Sequence, residues 1–321
     1  MSGAELDKGA GEFDIIARLF APLTQGAPEA LGLTDDAAVI SPPPGMDLIV
    51  TKDAMVEGVH TPQGEARDLF ARKLLRTNLS DLAAMGAQPL GAFLAVAWPR
   101  SRALSDPADF ARGLDTDLRL FGLPLLGGDT VSSDGPLVAS LTLLGVAPQG
   151  TAVRRSGAKP GDLICVSGPI GDGGLGLTAV QGELDDPTGY LARRYRLPDP
   201  RLDLVESVRA HASACLDISD GLIADARHIA AASQVCLEID LERLPISDAG
   251  AAWLSAQEDQ TAARLRLATS GDDYELLLTA APESAVALGL PVIGAVREGR
   301  GVAVRFQDRP VAVAAGGWRH L

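Results

Sequence analysis

The sequence predicts a mixed α/β (α+β) protein made of two halves of similar size. Segments with helical spacing alternate with short apolar runs along the chain, as expected of α/β folds. A turn signal, Lys159-Pro160-Gly161-Asp162, lies near the middle, and a second alternating series begins there. Acidic residues recur in both halves where apolar runs stop. We therefore expect two domains, at residues 11–150 and 151–321.

The first half is expected to begin with helix and then to alternate strand and helix. An amphipathic helix is predicted by apolar residues at helical spacing, namely Phe13, Ile16, Ala17 and Phe20. Longer helices are expected at about 67–85, where Gly86 and Pro89 follow, and at about 105–121. Strands are expected at about 37–40, 47–52, 91–97 and 137–146. The last two are continuous apolar runs, typical of strands buried on both faces.

The second half is expected to continue the same alternation. Strands are predicted at about 162–167, 235–239, 274–279 and 291–295, with a further one leading into Asp217. Helices are predicted at about 172–181, 201–211 and 220–233. The stretch 185–200 is polar and contains proline, so we expect a loop. Gly299-Arg300-Gly301 resembles a hairpin turn.

Composition restricts the class of partner. Hydrophobic residues make up 46% of the 321-residue chain, enough for a sizeable core. The net charge of −14 argues against nucleic acid or an anionic membrane as partner, although it also serves solubility. No signal peptide or membrane-spanning run is visible. Cys165, Cys215 and Cys236 lie in apolar runs without CxxC spacing, so we expect buried, reduced thiols and a cytoplasmic protein.

The acidic residues at the ends of apolar runs predict a metal site. Carboxylates at strand ends point into the crevice where open α/β folds bind ligands. Several carboxylates there would repel one another unless cations neutralised them. Oxygen ligands without neighbouring His or Cys suit Mg²⁺, which often accompanies a polyphosphate. The sequence therefore predicts several Mg²⁺ ions, with Asp36, Asp53, Asp129, Asp217 and Asp220 among the candidate ligands.

Asp81 is a candidate ligand for a separate reason. It lies on one face of the predicted helix 67–85, together with Leu74, Asn78 and Met85. A carboxylate on such an apolar face is costly to bury unless it is paired or bound to metal. Arg76 could pair with it. Metal ligation is favoured because Asp36, Asp53 and Asp129 would require the same cations.

Two glycine-containing motifs allow more than one interpretation. Asp217-Ile218-Ser219-Asp220-Gly221-Leu222 opens a helix after a strand, so its polar residues could cap that helix or bind an anion there. Gly171-Asp172-Gly173-Gly174-Leu175-Gly176 matches GxGxxG. The acidic residue that a dinucleotide fold places about 20 residues further on is missing, so a tight turn into a helix is favoured. The chain contains no P-loop motif, which leaves phosphates to metal and to groups such as Arg155. His60, a lone histidine after a strand, is more often structural.

Seven motifs occur in order and together resemble the thiamine-monophosphate kinase family. They are Gly11-Glu12-Phe13, Asp35-Asp36-Ala37-Ala38, the stretch from Asn78 to Gly86, Gly127-Gly128-Asp129-Thr130, the stretch from Arg155 to Asp162, Asp217-Ile218-Ser219-Asp220-Gly221-Leu222 and Gly271-Asp272-Asp273-Tyr274-Glu275-Leu276. The resemblance implies the fold of aminoimidazole ribonucleotide synthetase and a homodimer whose N-terminal strands form a joint barrel. It implies transfer of the ATP γ-phosphoryl group to thiamine monophosphate, with Mg²⁺.

The resemblance also assigns roles to residues. Metal-ligand positions are matched by Asp36, Thr51, Lys52, Asp53, Asp81, Asp129, Asp217 and Asp220. Nucleotide-contact positions are matched by Gly128, Asp129, Arg155 and Ser219, and substrate-contact positions by His60, Asp272 and Trp318. Lys52 replaces a common Thr, so only its backbone carbonyl could be a ligand. Asp272 replaces the more usual Glu, and Trp318 replaces another aromatic residue. Phe110 and Phe121 are candidates for an expected adenine contact.

The implied chemistry needs no general base among the side chains. The acceptor is itself a phosphate with a second pKa near 6, so it is already an anionic nucleophile at neutral pH. Clustered Mg²⁺ ions would reduce the repulsion between two anions and align them.

Other functions of the same fold are weaker readings of this sequence. One alternative is another ATP-using synthetase, but selenophosphate synthesis needs a reactive Cys near the N-terminus and none precedes Cys165. A hydrogenase-maturation protein would present a C-terminal Cys, whereas this sequence ends Trp318-Arg319-His320-Leu321. An inactive nucleotide-binding regulator would not need the full set of aspartates.

Overall fold

In the computed structural model, which describes residues 12–313, the chain divides into two compact units. The first unit comprises the described residues up to Leu82 together with Gln88–Gly150. The second comprises Ala83–Ala87 and the described residues from Thr151 onward. The short segment 83–87 therefore interrupts the first unit in sequence and belongs to the second in space. Its backbone is bound there, since Arg209 Nη1 donates to Gly86 O at 2.5 Å.

A four-stranded sheet forms the scaffold of the first unit. Its strands are β1 (Met46–Val56), β2 (Gln88–Pro99), β3 (Leu125–Ser133) and β4 (Val138–Pro148). The order across the sheet is β1-β4-β2-β3, so β1 and β3 are its two edges. β4 is antiparallel to both β1 and β2, whereas β3 is parallel to β2. The strands predicted at 47–52, 91–97 and 137–146 are confirmed, and the one predicted at 37–40 is not a strand.

Two long helices cover one face of this sheet. They are α2 (Arg67–Ala84) and α3 (Asp106–Phe121), close to their predicted bounds. The chain before them begins with α1 (Glu12–Ile15), continues as a π-helix over Ile16–Phe20 and then as 3-10 turns. Ile15, Leu19 and Phe20 are buried there, and Ala17 is exposed, so the wider π turn changes the apolar register that the sequence predicted.

The other face of the sheet is covered only in part by the described chain, because Ala30 and the residues after it pack near Leu126 and Leu144. Leu94, Val96 and Trp98 alternate into the core, whereas Ala95 between them is exposed. Val50 on β1 is 57% exposed and Val131 on β3 is 52% exposed. The expectation that the continuous apolar strands are buried on both faces is therefore wrong for the single chain. An apolar run predicts that both faces of a strand are covered, but it does not show whether the same chain or another chain covers the second face.

The second unit contains a seven-stranded mixed sheet. Its strands are β5 (Leu163–Val166), β6 (Ala214–Asp217), β7 (Cys236–Asp240), β8 (Leu276–Ala280), β9 (Val292–Arg297), β10 (Gly301–Phe306) and β11 (Arg309–Pro310). The order is β11-β10-β7-β9-β5-β8-β6, and only β10 and β7 are parallel neighbours. Because β7 lies between β9 and β10, the turn at Gly299–Gly301 does not join hairpin partners, and that prediction is wrong.

Helices pack on the second sheet around two buried apolar clusters. They are α4 (Asp172–Val180), α5 (Tyr190–Arg196), α6 (Val205–His211), α7 (Leu222–Ser233), α8 (Asp248–Ser255), α9 (Gln260–Thr269) and α10 (Pro282–Leu288). One cluster joins Ile164 and Leu277 to residues of α7, and the other joins Cys165 and Leu278 to residues of α6. Helix α5 lies in the stretch expected to be a loop, and α8, α9 and α10 were not predicted.

The cysteines are free, as expected, but they differ in burial. Cys165 and Cys215 are buried, whereas Cys236 is only half-buried. Burial raises the pKa of the Cys165 thiol to about 11 and also raises the pKa of Cys215. Among residues 12–313, no helix has both the length and the apolar character needed to cross a membrane.

A buried ion pair joins the two long helices of the first unit. Asp117 on α3 is fully buried, and its Oδ2 accepts from Arg76 Nε at 2.6 Å. Its Oδ1 accepts from Arg72 Nε at 3.1 Å. Arg76 also lies over the Phe121 ring, 5.2 Å from its centroid. The Asp117 carboxylate therefore compensates charge on both guanidinium groups at the contact between the two helices.

Replacing that carboxylate should destabilise the first unit strongly. We expect Asp117→Ala to lower the free energy of unfolding by about 3–5 kcal/mol, because the buried Arg76 loses its partner. Asp115→Ala, on the same helix, removes an ion pair to the exposed Arg119 and should have a much smaller effect. Chemical denaturation of both variants checks this. Equal losses of stability in the two variants would contradict it.

Candidate active site

One group of candidate ligands lies at the β1 edge of the first unit. Thr51 Oγ1 donates to Asp81 Oδ2 at 2.5 Å, which joins β1 to α2. The backbone N–H of Asp53 donates to Asn78 Oδ1 at 3.0 Å, and Asn78 Nδ2 in turn donates to Leu74 O. Edge-strand N–H groups need partners of this kind. The two bonds join the strand that carries Asp53 to the helix that carries Asp81.

The charges of this group are affected by its surroundings. Protein packed around Asp53 raises the pKa of its carboxyl by desolvation, even though the side chain still reaches solvent. Such a carboxylate gains from a nearby cation. Arg76, considered from the sequence as a partner of Asp81, donates to Asp117 on α3.

A second group lies at the β3 edge, in a cavity of about 590 Å³. Asp36, Gly128 and Asp129 line it together with the aromatic rings of Phe20 and Phe93. Gly128 is required by packing, because a Cβ there would lie 2.0 Å from the carbonyl oxygen of Leu94 on β2. The cavity therefore combines an apolar wall with three carboxylates, those of Asp35, Asp36 and Asp129, a lining that suits a ligand with a flat apolar part and a cation-bound polar part.

These two groups do not meet within one copy of the unit. Strands β4 and β2 lie between β1 and β3, and three strand spacings amount to roughly 14 Å. The pairing register also puts Asp129 in line with Ala95, Ser140 and Ala54, and side-chain alternation then places Asp53 on the opposite face. Across the described ranges, no three His, Cys, Asp or Glu side chains are close enough together to hold a metal ion.

Asp53 and Asp129 also differ from the sequence argument in position along their strands. The sequence placed them where strands end, but both lie inside β1 and β3. Only Asp217 occupies a strand end. The carboxylates of the first unit are therefore presented by the faces and edges of a mostly antiparallel sheet, and not by the carboxyl ends of parallel strands.

Two further predicted residues lie near β1. The Lys52 side chain is exposed, and its Nζ donates to Thr142 Oγ1 at 3.3 Å. His60 is half-buried, and its Nδ1 accepts from the backbone N–H of Val56 at 3.0 Å. This bond gives the imidazole a structural role at the end of β1, the alternative that the sequence left open. It also places the proton of the neutral ring on Nε2.

In the second unit, a loop after β6 wraps around a buried carboxylate. Asp217 ends β6, and the backbone N–H groups of Ser219, Asp220 and Gly221 all donate to Asp225 Oδ2, at 3.0, 3.0 and 3.1 Å. Burial and the nearby charge of Asp220 raise the pKa of Asp225 to about 7. Gly221 is the N-cap of α7 and no side chain caps it, so the capping interpretation of the motif is wrong. The sequence did not identify Asp225, although an acid in the first helical turn was a signal.

Asp272 lies beside this loop. Its backbone N–H donates to Ser219 O at 2.9 Å, and the N–H of Tyr274 donates to Ile218 O at 2.8 Å. A Cβ on Gly271 would lie 2.4 Å from Ser219 O, so the two segments are in close backbone contact. The structure therefore brings the segment with Asp217, Ser219 and Asp220 beside the segment with Asp272, and backbone hydrogen bonds join the two.

Arg155 is placed apart from that group along the edge of the sheet. Its carbonyl accepts from Ser233 Oγ at 3.2 Å, and the preceding carbonyl of Arg154 accepts from Cys215 N at 3.0 Å. Arg155 therefore lies beside the beginning of β6, whereas Asp217 is at its end.

The expected aromatic contacts have different outcomes. Phe110 is fully buried, with its ring 5.5 Å from that of Trp98 and 6.3 Å from that of Phe70, so it belongs to the core and cannot contact adenine. Phe121 is half-buried beneath Arg76. Trp318 lies outside the described residues. A core phenylalanine and a ligand-binding one have the same helical spacing, so sequence alone could not separate them.

A buried polar network next to Asp272 was not predicted. Glu275 is fully buried and accepts from Arg201 at 2.5 and 2.6 Å and from Arg194 at 2.9 Å. Arg194 Nη2 also donates to the backbone carbonyl of Asp273 at 3.2 Å. Arg194 comes from the stretch that was expected to be a loop, and Arg201 from the predicted beginning of the helix that follows it. A signal was the position of Glu275 directly before the apolar run 276–278, because an acid buried there needs cationic partners.

The sequence matches two family models and a known enzyme over most of its length. Residues 34–147 match the family model "AIR synthase related protein, N-terminal domain", and residues 159–307 match "AIR synthase related protein, C-terminal domain". A thiamine-monophosphate kinase of Caulobacter vibrioides is 53% identical over 96% of this chain and 90% of its own length.

Two solved structures resemble the fold. The thiamine-monophosphate kinase of Stenotrophomonas maltophilia superposes with a TM-score of 0.80 at 38% identity, covering 92% of this chain and 96% of that one. AaThiL complexed with AMPPCP and TMP superposes with a TM-score of 0.78 at 30% identity, covering 98% and 99%. The similarity therefore extends through both units.

Proposed function

Because the chain belongs to the thiamine-monophosphate kinase family, we propose that it transfers the γ-phosphoryl group of ATP to thiamine monophosphate. The products are thiamine diphosphate and ADP. The observation that carries this proposal is the 53% identity to a thiamine-monophosphate kinase over 96% of the chain. The similarity to AaThiL complexed with AMPPCP and TMP adds a relative in which both kinds of ligand are bound. The enzyme is a phosphotransferase whose acceptor is itself a phosphate.

The proposed cofactor is Mg²⁺. The oxygen-rich donor set fits it, because carboxylates, a hydroxyl and a carbonyl are hard ligands. In the first unit the proposed ligands are Asp36, Thr51, Asp53, Asp81, Asp129 and the carbonyl of Lys52, and in the second they are Asp217 and Asp220. When bound, Mg²⁺ neutralises and orients the phosphates. The raised pKa of Asp53 supports this, since a carboxylate set among desolvating neighbours binds a cation well.

The proposed binding residues orient the two substrates. The cavity with Gly128 and Asp129 supports a place for the nucleotide, with Ser219 and Arg155 as further nucleotide contacts. His60, Asp272 and Trp318 are the proposed contacts of thiamine monophosphate. No side chain has to remove a proton, because the acceptor phosphate is anionic at neutral pH. The chain's own contribution is therefore to align donor and acceptor and to exclude water. We also propose a cytoplasmic location, which the free thiols support.

The proposed assembly is a homodimer with a barrel shared between the copies. Two features of the first unit support it. One sheet face remains exposed around Val50 and Val131, and apolar faces of this kind are normally covered. The two sheet edges, β1 and β3, carry the two separate groups of acids. Pairing β1 of one copy with β3 of the other closes the barrel and places the edge that carries Asp53 in one copy beside the edge that carries Asp129 in the other.

The choice of acceptor provides the direct test of function. Thiamine monophosphate should be phosphorylated, whereas thiamine should not, because only the monophosphate offers an anionic oxygen to be aligned against ATP. A coupled ADP-release assay would compare thiamine monophosphate, thiamine and no acceptor, with chromatography to identify the product. ATP binding without thiamine diphosphate formation would favour a nucleotide-binding scaffold. Equal use of free thiamine would refute the alignment mechanism.

Removal of one proposed ligand tests the metal assignment. Asp129→Asn should lower turnover by about 100-fold or more, because it deletes a charge that holds the metal, while the fold is retained. Asp134→Asn is the matched control, since the Asp134 side chain is 91% exposed and pairs only with Arg100 among the ion pairs seen for it. Near-normal turnover of Asp129→Asn at saturating Mg²⁺ would overturn the assignment.

Mixed dimers test the shared barrel. Asp53→Asn and Asp129→Asn should each be inactive as pure proteins, yet their coexpression should restore activity. A mixed dimer has one site with both replacements and one with neither, so random pairing should recover roughly a quarter of wild-type activity. Light scattering should give a dimer throughout. A monomer, or the absence of any recovery in confirmed mixed dimers, would contradict the shared barrel.

A further inference from the structure

The glycine-rich motif of residues 171–176 has no role in the proposed function, and the structure indicates one. It forms the beginning of α4, where backbone N–H groups point outward and favour an anion. The acceptor present there is the protein's own Asp273 carboxyl group, whose pKa burial raises even though the N–H donors oppose the shift. Asp273 Oδ2 accepts from Gly171 N at 2.8 Å, and Asp273 Oδ1 accepts from Gly173 N at 2.9 Å. Asp273 is 1% exposed, so this contact is shielded from solvent.

The glycines of this motif allow close packing of the segment that carries the Asp273 carboxylate. A Cβ on Gly173 would lie 2.3 Å from the carbonyl carbon and oxygen of Asp272. A Cβ on Gly174 would lie 2.3 Å from Ser270 Cβ. The absence of side chains at these positions therefore allows the backbone of the 270–273 segment to touch the helix. There is no space left for the phosphate that this motif binds in dinucleotide folds.

The segment held in this way has an unusual backbone. Asp272 has φ +64° and Tyr274 has φ +51°, both in the left-handed region that residues other than glycine rarely adopt. Such conformations persist only where surrounding contacts enforce them. The two bonds of Asp273 to α4 and the bond from Arg194 to its carbonyl supply contacts on one side. The bonds from Asp272 N and Tyr274 N to the Ser219 loop supply contacts on the other.

We propose that Asp273 is a positioning residue, which by filling the beginning of α4 fixes the Asp272 side chain and the Ser219–Asp220 loop in their working places. The proposal rests on the proposed kinase function, in which Asp272 contacts thiamine monophosphate. Asp273 itself touches no substrate. Its effect on the reaction is carried by the peptide it shares with Asp272 and by the hydrogen bond from Asp272 to Ser219.

The central experiment is Asp273→Asn with separate Michaelis constants for the two substrates. The side-chain oxygen of the asparagine can accept a hydrogen bond from one glycine N–H. Its NH₂ group then faces the other glycine N–H, and because two donors repel each other, the 270–273 segment must move. We expect the Michaelis constant for thiamine monophosphate to rise about tenfold, with a smaller change for ATP, because Asp272 is the directly attached residue. Hydrogen exchange of the Asp272 and Tyr274 amides should become faster in the substrate-free variant.

A neighbouring carboxylate offers the matched control. Asp172 is equally buried and accepts from Ser247 Oγ at 2.6 Å and from the Tyr190 hydroxyl at 2.9 Å. Hydroxyl partners can reverse their hydrogen bonds, so Asp172→Asn should lower the melting temperature but leave both Michaelis constants unchanged. Gly173→Ala is a second route to the same displacement, since its methyl group collides with Asp272 while Asp273 stays ionisable. Gly173→Ala should reproduce the effect of Asp273→Asn on the Michaelis constants. It provides the test if Asp273→Asn does not fold.

The outcomes separate the two proposals. An active wild type, with Asp273→Asn and Gly173→Ala both keeping the wild-type Michaelis constant for thiamine monophosphate, would overturn the positioning role. Equal shifts in Asp172→Asn would also overturn it, because they would reflect general loosening. A wild type that forms no thiamine diphosphate would overturn the proposed function instead. The amide exchange of residues 272 and 274 would then decide alone whether Asp273 holds the segment.

Discussion

Hydrogen bonds from backbone N–H groups to buried carboxylates support the group of candidate residues in the second unit. Asp225 collects three N–H groups of the loop after β6, and Asp273 collects two at the beginning of α4. A buried carboxylate is stable only when donors surround it, so each of these residues fixes the backbone that supplies its donors. In both cases an acid that reaches solvent, Asp220 or Asp272, lies in the fixed segment. In each pair, the buried carboxylate (Asp225 or Asp273) therefore fixes the backbone of the loop, and the loop exposes the other carboxylate (Asp220 or Asp272).

In the first unit, the candidate acidic residues are held in place by side chains from neighbouring elements. Asn78 on α2 bonds to the backbone of β1, and Thr51 bonds to Asp81, so helix and edge strand are held in register by polar contacts. The buried Asp117 is compensated by two arginines and secures the other side of α2. This arrangement keeps the acids of β1 and those of β3 on different edges of one sheet. Their separation limits repulsion within a single copy, in a chain whose net charge is −14.

Much of this could be predicted from the sequence, and the failures have identifiable causes. Apolar periodicity located α2, α3 and the long strands, and acid-containing motifs pointed to Asp36, Asp129, Asp217 and Asp220. Strand order is a long-range property, so the sequence could not show that β1 and β3 are edges or that β7 separates β9 from β10. The pair Asp272-Asp273 is equally acidic in sequence, and only packing decides which member is buried. Helix α5 was missed because prolines flank a basic stretch, of which Arg194 turns inward to Glu275.

The short segment Ala83–Ala87 limits how far this protein can be treated as modular. The end of α2 and the turn after it belong to the second unit, where Met85 O accepts from Val153 N and Gly86 O accepts from Arg209. A fragment that starts at residue 151 would therefore leave these donors in the second unit without their partners. Gene fusion, fragment expression or exchange of halves between relatives at position 150 would follow the sequence boundary and still cut through a folded unit. The separable module is one that carries this five-residue insert with it.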